Sequence, residues 1–255
     1  MNTSSPQHGL FYQLDPRVKI VTVLLLVIGI AVTPNYAWLA YPLIWTVLGG
    51  VAVLSEIPIW RIVKLAGIAL PFTLAALPLM VTLHGNPLGV LFGATITDVG
   101  VAAFLSVVLK SWLSAHAVLL LTLTTSFTDL LWGLACLGVP AVLVSMMSMM
   151  YRYLYALRDE GERLLRARAA RSGATHPARS GGRLFWRARV VGNMVGNLFL
   201  RSYERSERVY AAMLARGYDG SLKSPTAIPP LTLTSIRVGA TPVVILLLIQ
   251  IIVRL

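Results

Sequence analysis

The sequence is poor in the residues that build disulfides, metal clusters and soluble surfaces. It has one cysteine, Cys136, in 255 residues, which excludes an intrachain disulfide and a cysteine metal cluster. Charged residues make up only 13% of the chain, whereas an average soluble domain has about 25%. Together with 56% hydrophobic residues and a mean hydropathy of +0.74, this composition predicts an integral membrane protein.

Motifs for nucleotide binding and catalysis are missing as well. No G-x-x-x-x-G-K-[ST] run is present, so the chain has no phosphate-binding loop of its own. The four histidines lie on different elements and none has a ligand-type spacing to another candidate ligand: His8, His84, His116 and His176. We therefore expect a non-catalytic chain without cofactor or metal site. The alternative is a small membrane enzyme acting on lipid through Asp98, His116 or Asp129.

Five apolar runs predict five membrane-spanning helices, because about 20 residues cross the hydrocarbon core. The runs are Val18–Thr33, Tyr36–Ser55, Glu56 to about Leu83, Asp98–Thr124 and Ile236–Val253. Asp15 is placed to cap the first helix, with Pro16 at its first position.

The third run and the loop after it leave alternatives open. Pro71 and Pro78 predict kinks, since each removes a backbone hydrogen bond. Residues 57–66 are either an interfacial helix or the basic inner end of this span. Residues 84–97 form a loop rich in Gly and Pro, for which a partly re-entrant path is the alternative.

The distribution of lysine and arginine predicts an orientation. With five spans and a cytoplasmic N-terminus, 20 of the 22 basic residues lie inside: Arg17, Lys19, Arg61, Lys64 and the sixteen from Arg152 to Arg237. The exceptions are Lys110 and Arg254. This asymmetry follows the positive-inside rule, and we expect a multi-pass membrane protein with its N-terminus in the cytoplasm.

Residues 140–220 predict two long helices outside the membrane, preceded by a short amphipathic helix capped by Ser126 or Thr128. The first long helix starts at Pro140, is ~45 Å long at 1.5 Å per residue, and carries this apolar stripe: Leu143, Met147, Met150, Leu154, Leu157, Gly161 and Leu164. The second covers about Phe185–Arg216, and its weaker stripe is Val191, Val195, Leu198, Ser202, Ser206, Val209 and Met213.

Both long helices end in a matching signal, Ala170-Arg171-Ser172 in the first and Ala215-Arg216-Gly217 in the second. The helix dipole favours one terminal arginine by ~0.3–1 kcal/mol, but two matching ends on adjacent helices predict a pair of equivalent docking points. A planar guanidinium suits a carboxylate-lined groove. The other arginines are accounted for by a solvated surface facing lipid headgroups, with nucleic-acid binding as the alternative.

Lys110 is placed about halfway along the fourth predicted span. A charge at that depth costs at least ~2.5 kcal/mol on insertion scales. We therefore expect its side chain to face the bundle interior or a wet cleft, unless the helix is tilted or its ends are misjudged.

Specific segments resemble a known family. Met150–Leu154, Asp159–Arg163 and Ala170–Ser172 resemble the first coupling helix of transmembrane T components of energy-coupling factor (ECF) transporters. Phe199–Tyr210 and Met213–Gly220 resemble the second, especially in the cobalt-type (CbiQ) family. The N-terminal signature and the connector before the coupling helices are similar as well: Leu14–Lys19, Thr124–Leu131 and Leu137–Pro140.

The resemblance implies an all-α protein of the bacterial plasma membrane that couples ATP-driven motion to uptake. Its expected parts are transmembrane helices 1–4 in residues 1–124, a cytoplasmic coupling module in 125–230 and a last transmembrane helix in 231–255. The implied partners are two ABC ATPases, which bind the ATP, a substrate-binding S component with or without a small accessory membrane subunit, and lipid, but no nucleic acid. The implied ATPase-docking residues are Ala170, Arg171, Ser172, Ala215, Arg216 and Gly217. The implied substrate is cobalt first and nickel second, with a vitamin as the alternative.

Overall fold

The computed structural model describes residues 14–82, 87–91, 94–171, 184–220 and 232–254. Within these ranges the chain is predominantly helical, and its helices are α1 (Pro16–Val32), α2 (Ala40–Leu54), α3 (Ile59–Ala66), α4 (Leu70–Thr73), α5 (Leu79–Thr82), α6 (Asp98–Thr124), α7 (Phe127–Cys136), α8 (Ala141–Arg171), α9 (Leu184–Ala215) and α10 (Leu233–Arg254). The chain divides into a first unit, residues 1–137 and 228–255, and a second unit, residues 138–227. The sequence-based division at residues 124 and 230 stays a prediction.

The core of the first unit is formed by side chains of α1, α2, α3, α6 and α10. Its buried cluster includes Ile30, Ile44, Ile62, Leu113 and Leu246. These residues come from five separate helices, so the apolar interior joins these five helices to one another.

Helix directions in the first unit follow from three contacts. The Thr22 hydroxyl donates to the Gly239 carbonyl at 3.0 Å, and the Gln250 amide donates to the Gly29 carbonyl. The early residues of α1 therefore meet the early residues of α10, and the late residues meet the late ones, so the two helices run parallel. The Lys19 ammonium donates to the Thr124 carbonyl at 3.2 Å, which sets α6 antiparallel to both.

Two predicted helix caps are confirmed. The Asp15 carboxylate accepts the Arg17 backbone N–H at 2.9 Å, and Pro16 is the first residue of α1. The Ser126 hydroxyl accepts the Asp129 backbone N–H at 3.2 Å at the start of α7. Each cap satisfies one of the backbone donors that a helix leaves free in its first turn.

The third predicted span is broken, as its prolines predict. After α3 the chain forms two short 3₁₀ segments, Gly67–Ala69 and Leu74–Ala76, separated by α4, and α5 begins directly after Pro78. The segments Ile59–Ala66 and Leu70–Ala76 are bent by 42°. In α3, Arg61 and Lys64 are exposed while Ile62 is buried, so an interfacial helix and the end of a span both remain open.

A short hairpin occupies part of the predicted glycine- and proline-rich loop. Strand β1 (Pro87–Leu91) pairs antiparallel with β2 (Ala94–Thr97), with Val90 opposite Thr95, and the register shifts between Pro87 and Gly89. The rest of the described chain has the predicted all-helical character. His84 lies outside the described residues.

The lengths of the described apolar helices support a membrane protein, but fewer than five of them are long enough to span a bilayer on their own. Two segments are long and apolar enough to cross a bilayer, α6 and Leu233–Val253, and the bent pair Ile59–Ala66 with Leu70–Ala76 makes a third if it is one span. With 17 and 15 residues, α1 and α2 fall short of that length. The predicted number of five spans therefore stays a prediction.

Candidate functional site: a pair of long helices with exposed arginine ends

The second unit contains α8 and α9, whose bounds lie within one residue of the prediction. The hydroxyls of Ser145 and Tyr218 lie 3.4 Å apart, and Arg201 Nη1 donates to Glu160 Oε1 at 2.8 Å. Early residues of α8 thus face late residues of α9, which makes the pair antiparallel. With 31 and 32 residues, the helices are about 46 and 48 Å long.

The antiparallel arrangement separates the two predicted docking motifs. Arg171 is the last residue of α8, and Arg216 directly follows the last residue of α9. Since each helix ends where the other begins, the motifs lie at opposite ends of the pair, roughly 35–50 Å apart at 1.5 Å per residue.

The second motif, Ala215-Arg216-Gly217, forms the C-terminal cap of α9. Tyr218 N–H donates to the Met213 carbonyl at 3.0 Å and Gly217 N–H donates to the Leu214 carbonyl at 3.0 Å, which is the Schellman pattern. Gly217 has φ +81°, a left-handed conformation that costs other residues energy. Glycine is therefore the residue favoured at this position, and the cap fixes the backbone that carries Arg216.

The first motif is described only in part. Ala170 and Arg171 belong to the last turn of α8 and are exposed, and Ser172 lies outside the described residues. Arg216 is exposed in the same way. Neither arginine has a carboxylate within ion-pair distance in the described part of the chain.

Most other arginines of the two helices have partners. Arg158 and Arg166 both pair with Glu162, and the remaining ion pairs are Arg163 with Glu160, Arg201 with Glu160, and Arg208 with Glu204. Arg168 lies over the ring of Trp186 at 6.0 Å. Among the described residues, Arg152, Arg189 and Arg205 lack an ion-pair partner just as Arg171 and Arg216 do, so position at a helix end is what distinguishes the last two.

An apolar groove of about 620 Å³ lies between α8 and α9. Its walls include Met146, Met149 and Tyr153 of α8, and Val209 and Met213 of α9. The predicted stripe of α9 is correct in its second half, where Ser202, Ser206, Val209 and Met213 line the groove.

The predicted stripe of α8 is displaced by about one residue. Leu157 is its single member on the groove, whereas Leu143, Met150 and Leu154 are exposed. Both positions satisfy a 3.6-residue period because this part of α8 is apolar on two adjacent faces. The result is a second apolar face on α8 that no described residue of the second unit covers.

Lys110 has a partner that the sequence did not indicate. Its ammonium donates to the Asn35 amide oxygen at 2.9 Å, in the turn between α1 and α2. A neutral amide lowers the cost of a charge on an apolar helix, because it replaces part of the lost hydration. Lys110 is therefore tied to the end of α1 in the first unit.

Sequence reasoning missed the role of the first turn of α1. Lys19 is 4% exposed and bonds the last carbonyl of α6, where the helix dipole favours a cation. The Arg17 guanidinium lies 4.6 Å from the centre of the Trp132 ring in α7. In the sequence, the two cations Arg17 and Lys19 at the start of a long apolar run are the signal that could have indicated these contacts of α1 with α6 and α7.

The residues considered for a lipid enzyme are not brought together. Asp98 is the first residue of α6 and its carboxylate accepts the Val99 N–H at 2.7 Å, and His116 lies on the same helix 18 residues later, about 27 Å away along its axis. Asp129 accepts the Ser126 hydroxyl at 2.7 Å in α7. Among the described residues, no three His, Cys, Asp or Glu side chains are grouped closely enough to hold a metal.

Three relatives are similar to this chain over different lengths. It is 30% identical over 258 residues to the energy-coupling factor transporter transmembrane protein EcfT of Brevibacillus brevis, covering 97% of this chain and 94% of that protein. It is 29% identical over 226 residues to the nickel permease LarQ of Lactiplantibacillus plantarum, covering 82% and 68%. An uncharacterized protein of Methanocaldococcus jannaschii is 32% identical over 107 residues, covering 42% of this chain and 37% of that protein.

A family model also matches most of the chain. The CbiQ model, described as cobalt transport protein, matches residues 8–227, which include both long helices and the signature at the start of α1. The chain therefore belongs to the CbiQ family of cobalt transport proteins.

Proposed function

We propose that this protein is the transmembrane T subunit of an ECF-type importer. In this role α8 and α9 bind two ABC ATPases at Arg171 and Arg216 and pass their ATP-driven motion to a substrate-binding S component. The subunit itself catalyses nothing, and ATP is bound by the ATPases. The observation that carries the proposal is the antiparallel helix pair with one exposed arginine at each far end, in a chain of the CbiQ family.

The spacing of the two arginines supports two separate ATPases. Points roughly 35–50 Å apart are too distant for one small pocket but suit two neighbouring subunits. The ion pair between Glu160 and Arg201 joins the helices between the two ends. A push on one end is then carried to the other through α8 and α9 and the contacts between them.

The predicted orientation fits the helix directions of the first unit. Because α1 and α10 run parallel, Arg17 and Arg237 lie at the same end of the unit, as an odd number of spans requires. Lys19 lies at this end too, bonded to the end of α6. We infer five spans with this basic end in the cytoplasm of a bacterial cell.

We infer a divalent metal as the transported substrate. The family description favours cobalt, and the similarity to a nickel permease makes nickel the second candidate. The metal would be held by the S component, so no metal site is required in this chain. Uptake of Co²⁺ and Ni²⁺ by cells expressing the whole complex, compared with a vitamin, decides between these substrates.

The test of coupling is charge reversal at the two helix ends. Arg171→Glu and Arg216→Glu should each weaken retention of the ATPases on gentle purification by on the order of tenfold or more, because a docking cation becomes a repelling anion. The double variant should abolish metal uptake while still inserting into the membrane. Arg152→Glu is the matched control, since Arg152 is also exposed and has no described carboxylate partner but is far from a helix end. If the double variant keeps its ATPases and supports uptake, the coupling role is wrong.

A further inference from the structure

A second cavity, separate from the long helices, lies in the first unit. It is a cleft of about 380 Å³ between α1, the end of α7 and α10. Apolar side chains such as Val21 and Leu25 of α1 and Val243 and Val244 of α10 form its walls. Of the described residues that line it, Arg17 alone is charged. The cleft is therefore an apolar channel with one cationic end.

A second arginine lies beside that end. Arg237 directly follows Ile236, which lines the cleft, and Ala240 and Val244 of the lining are three and seven residues further along α10. Residues at this spacing share one helix face. Because α1 and α10 run parallel, Arg17 and Arg237 belong to the same end of the cleft.

The Arg17 guanidinium is incompletely satisfied by the described part of the chain. It lies over the Trp132 ring at 4.6 Å, and its Nε forms an ion pair with Asp15 Oδ1 at 3.8 Å, a distance too long for a hydrogen bond. Its buried Nε and Nη2 atoms have no hydrogen-bond partner among the described residues. A guanidinium offers five donors, and leaving buried donors unpaired is unfavourable. These two donors therefore lack an acceptor oxygen at hydrogen-bond distance within the described part of the chain.

We propose that the cleft binds an anionic phospholipid. One acyl chain lies between α1 and α10, and the phosphate oxygens accept from Arg17 and Arg237. Arginine binds phosphate through paired N–H groups, and basic pockets between transmembrane helices suit anionic headgroups. A small soluble anion would leave the apolar walls uncovered, and a neutral lipid would bring no net negative charge to Arg237, which has no carboxylate partner among the described residues. The site depends on membrane insertion and is independent of any coupling to ATPases.

Cys136 provides a native reporter for this site. It lines the cleft, and it is the single cysteine of the chain. The full chain is reconstituted into vesicles of phosphatidylcholine, with or without phosphatidylglycerol, and the rate of Cys136 alkylation by a bilayer-soluble maleimide is measured. Native mass spectrometry of protein taken from the mixed vesicles then identifies the class of the retained lipid.

In the original protein, phosphatidylglycerol should slow the alkylation of Cys136, and this lipid should be retained in preference to phosphatidylcholine. Arg17→Gln and Arg237→Gln should each reduce that preference by about fivefold, as expected for one basic group near an anionic headgroup. Arg237→Gln keeps the packing of Arg17 on Trp132, so it remains informative if Arg17→Gln destabilises the fold. Arg61→Gln is the control, because Arg61 is also basic and exposed but does not line the cleft.

Negative lipids lower the pH at the vesicle surface and slow alkylation in every variant, so only differences between variants count. Equal retention of both lipids by the original protein would overturn the proposal. So would an equal loss in Arg61→Gln and Arg237→Gln, which would indicate a general surface charge effect.

Discussion

The two units of the molecule differ in how far their apolar side chains are buried. In the first, five helices supply one buried cluster that includes Ile30, Leu113 and Leu246. In the second, Ser145 is the buried residue of the described part, while large apolar side chains such as Met150 and Phe199 are exposed. Both units contain long helices, so the difference lies in what the helices pack against.

This difference indicates which apolar surfaces the described part of the chain leaves uncovered. Exposed apolar residues of the first unit lie on helices with few charges, as expected for surfaces facing lipid. On α8 and α9 they share the helices with ion pairs such as Glu162 with Arg158, a mixture that suits a protein surface better than a hydrocarbon one. Two helices alone bury little area, so under the proposed function the subunits bound to α8 and α9 would supply part of the second unit's stability.

The largest expected effect is a cavity in the core of the first unit. Leu246 is 1% exposed and its side chain packs against Gly29 of α1. Leu246→Ala should lower the free energy of unfolding by about 2–5 kcal/mol, because it removes buried methyl groups and leaves a void. The measurement is reversible unfolding of the purified chain in detergent.

The matched change in the second unit is Leu154→Ala. Leu154 is 58% exposed in the isolated chain, so the substitution should change its stability by no more than about 0.5 kcal/mol. The same variant should weaken assembly if a partner covers this face. Comparable losses for the two substitutions in the isolated chain would show that both units have a core of similar quality.

The next effect concerns the cap that carries Arg216. Gly217→Ala places a Cβ on a residue with φ +81°, which should cost about 1–2 kcal/mol. Gly192→Ala is the control, because Gly192 lies inside α9 and a Cβ added there meets only open space, so alanine should stabilise the helix by roughly 0.5–1 kcal/mol. Thermal unfolding and ATPase retention of both variants separate loss of the cap from loss of helix stability. Retention that is unchanged in Gly217→Ala would mean that the cap does not position Arg216.

Local chemistry made much of the fold predictable. Asp15, Pro16 and Ser126 start helices, Pro71 and Pro78 break one, and Gly217 ends another, since each of these residues acts through its own backbone or the nearest turn. Helix bounds for α8 and α9 were correct to within one residue for the same reason.

Contacts between distant segments were not predictable in this way. The bond from Lys110 to Asn35 joins residues 75 positions apart, and periodicity along one helix carries no information about it. The packing face of α8 was misjudged because Met146, Met147, Met149 and Met150 make adjacent faces equally apolar. The arginines of the predicted docking motifs could be selected because the same short motif occurs at both helix ends. The contact of Arg17 with Trp132, in contrast, is visible only in the structure.

A stabilising change is available in the first unit, at the end of α2. Ile57 N–H donates to the Ala52 carbonyl at 3.1 Å and Glu56 N–H to the Val53 carbonyl at 2.9 Å, the same cap as at the end of α9. Here the left-handed position is held by Glu56, with φ 55°. Glu56→Gly should raise the free energy of unfolding by about 1 kcal/mol, because glycine adopts this conformation without steric cost. A Glu56→Ala variant that gains as much would show that the carboxylate, and not the backbone, is unfavourable there.

The smallest expected effect tests the ion pair that joins the two long helices. The side chains of Glu160 and Arg201 are 27% and 61% exposed, so the pair should contribute no more than ~1 kcal/mol. Glu160→Arg alone should weaken the packing of α8 on α9, and Glu160→Arg with Arg201→Glu should restore it, since the exchange places opposite charges together again. A double-mutant cycle on the unfolding free energy at low and high salt measures this coupling. Uptake by the complete transporter adds a second readout. If the ion pair only stabilises the chain, its loss should lower the amount of folded protein, and uptake should fall in the same proportion. Uptake per molecule that falls in the single variant and returns in the exchanged one would instead show that the contact between α8 and α9 takes part in transmission.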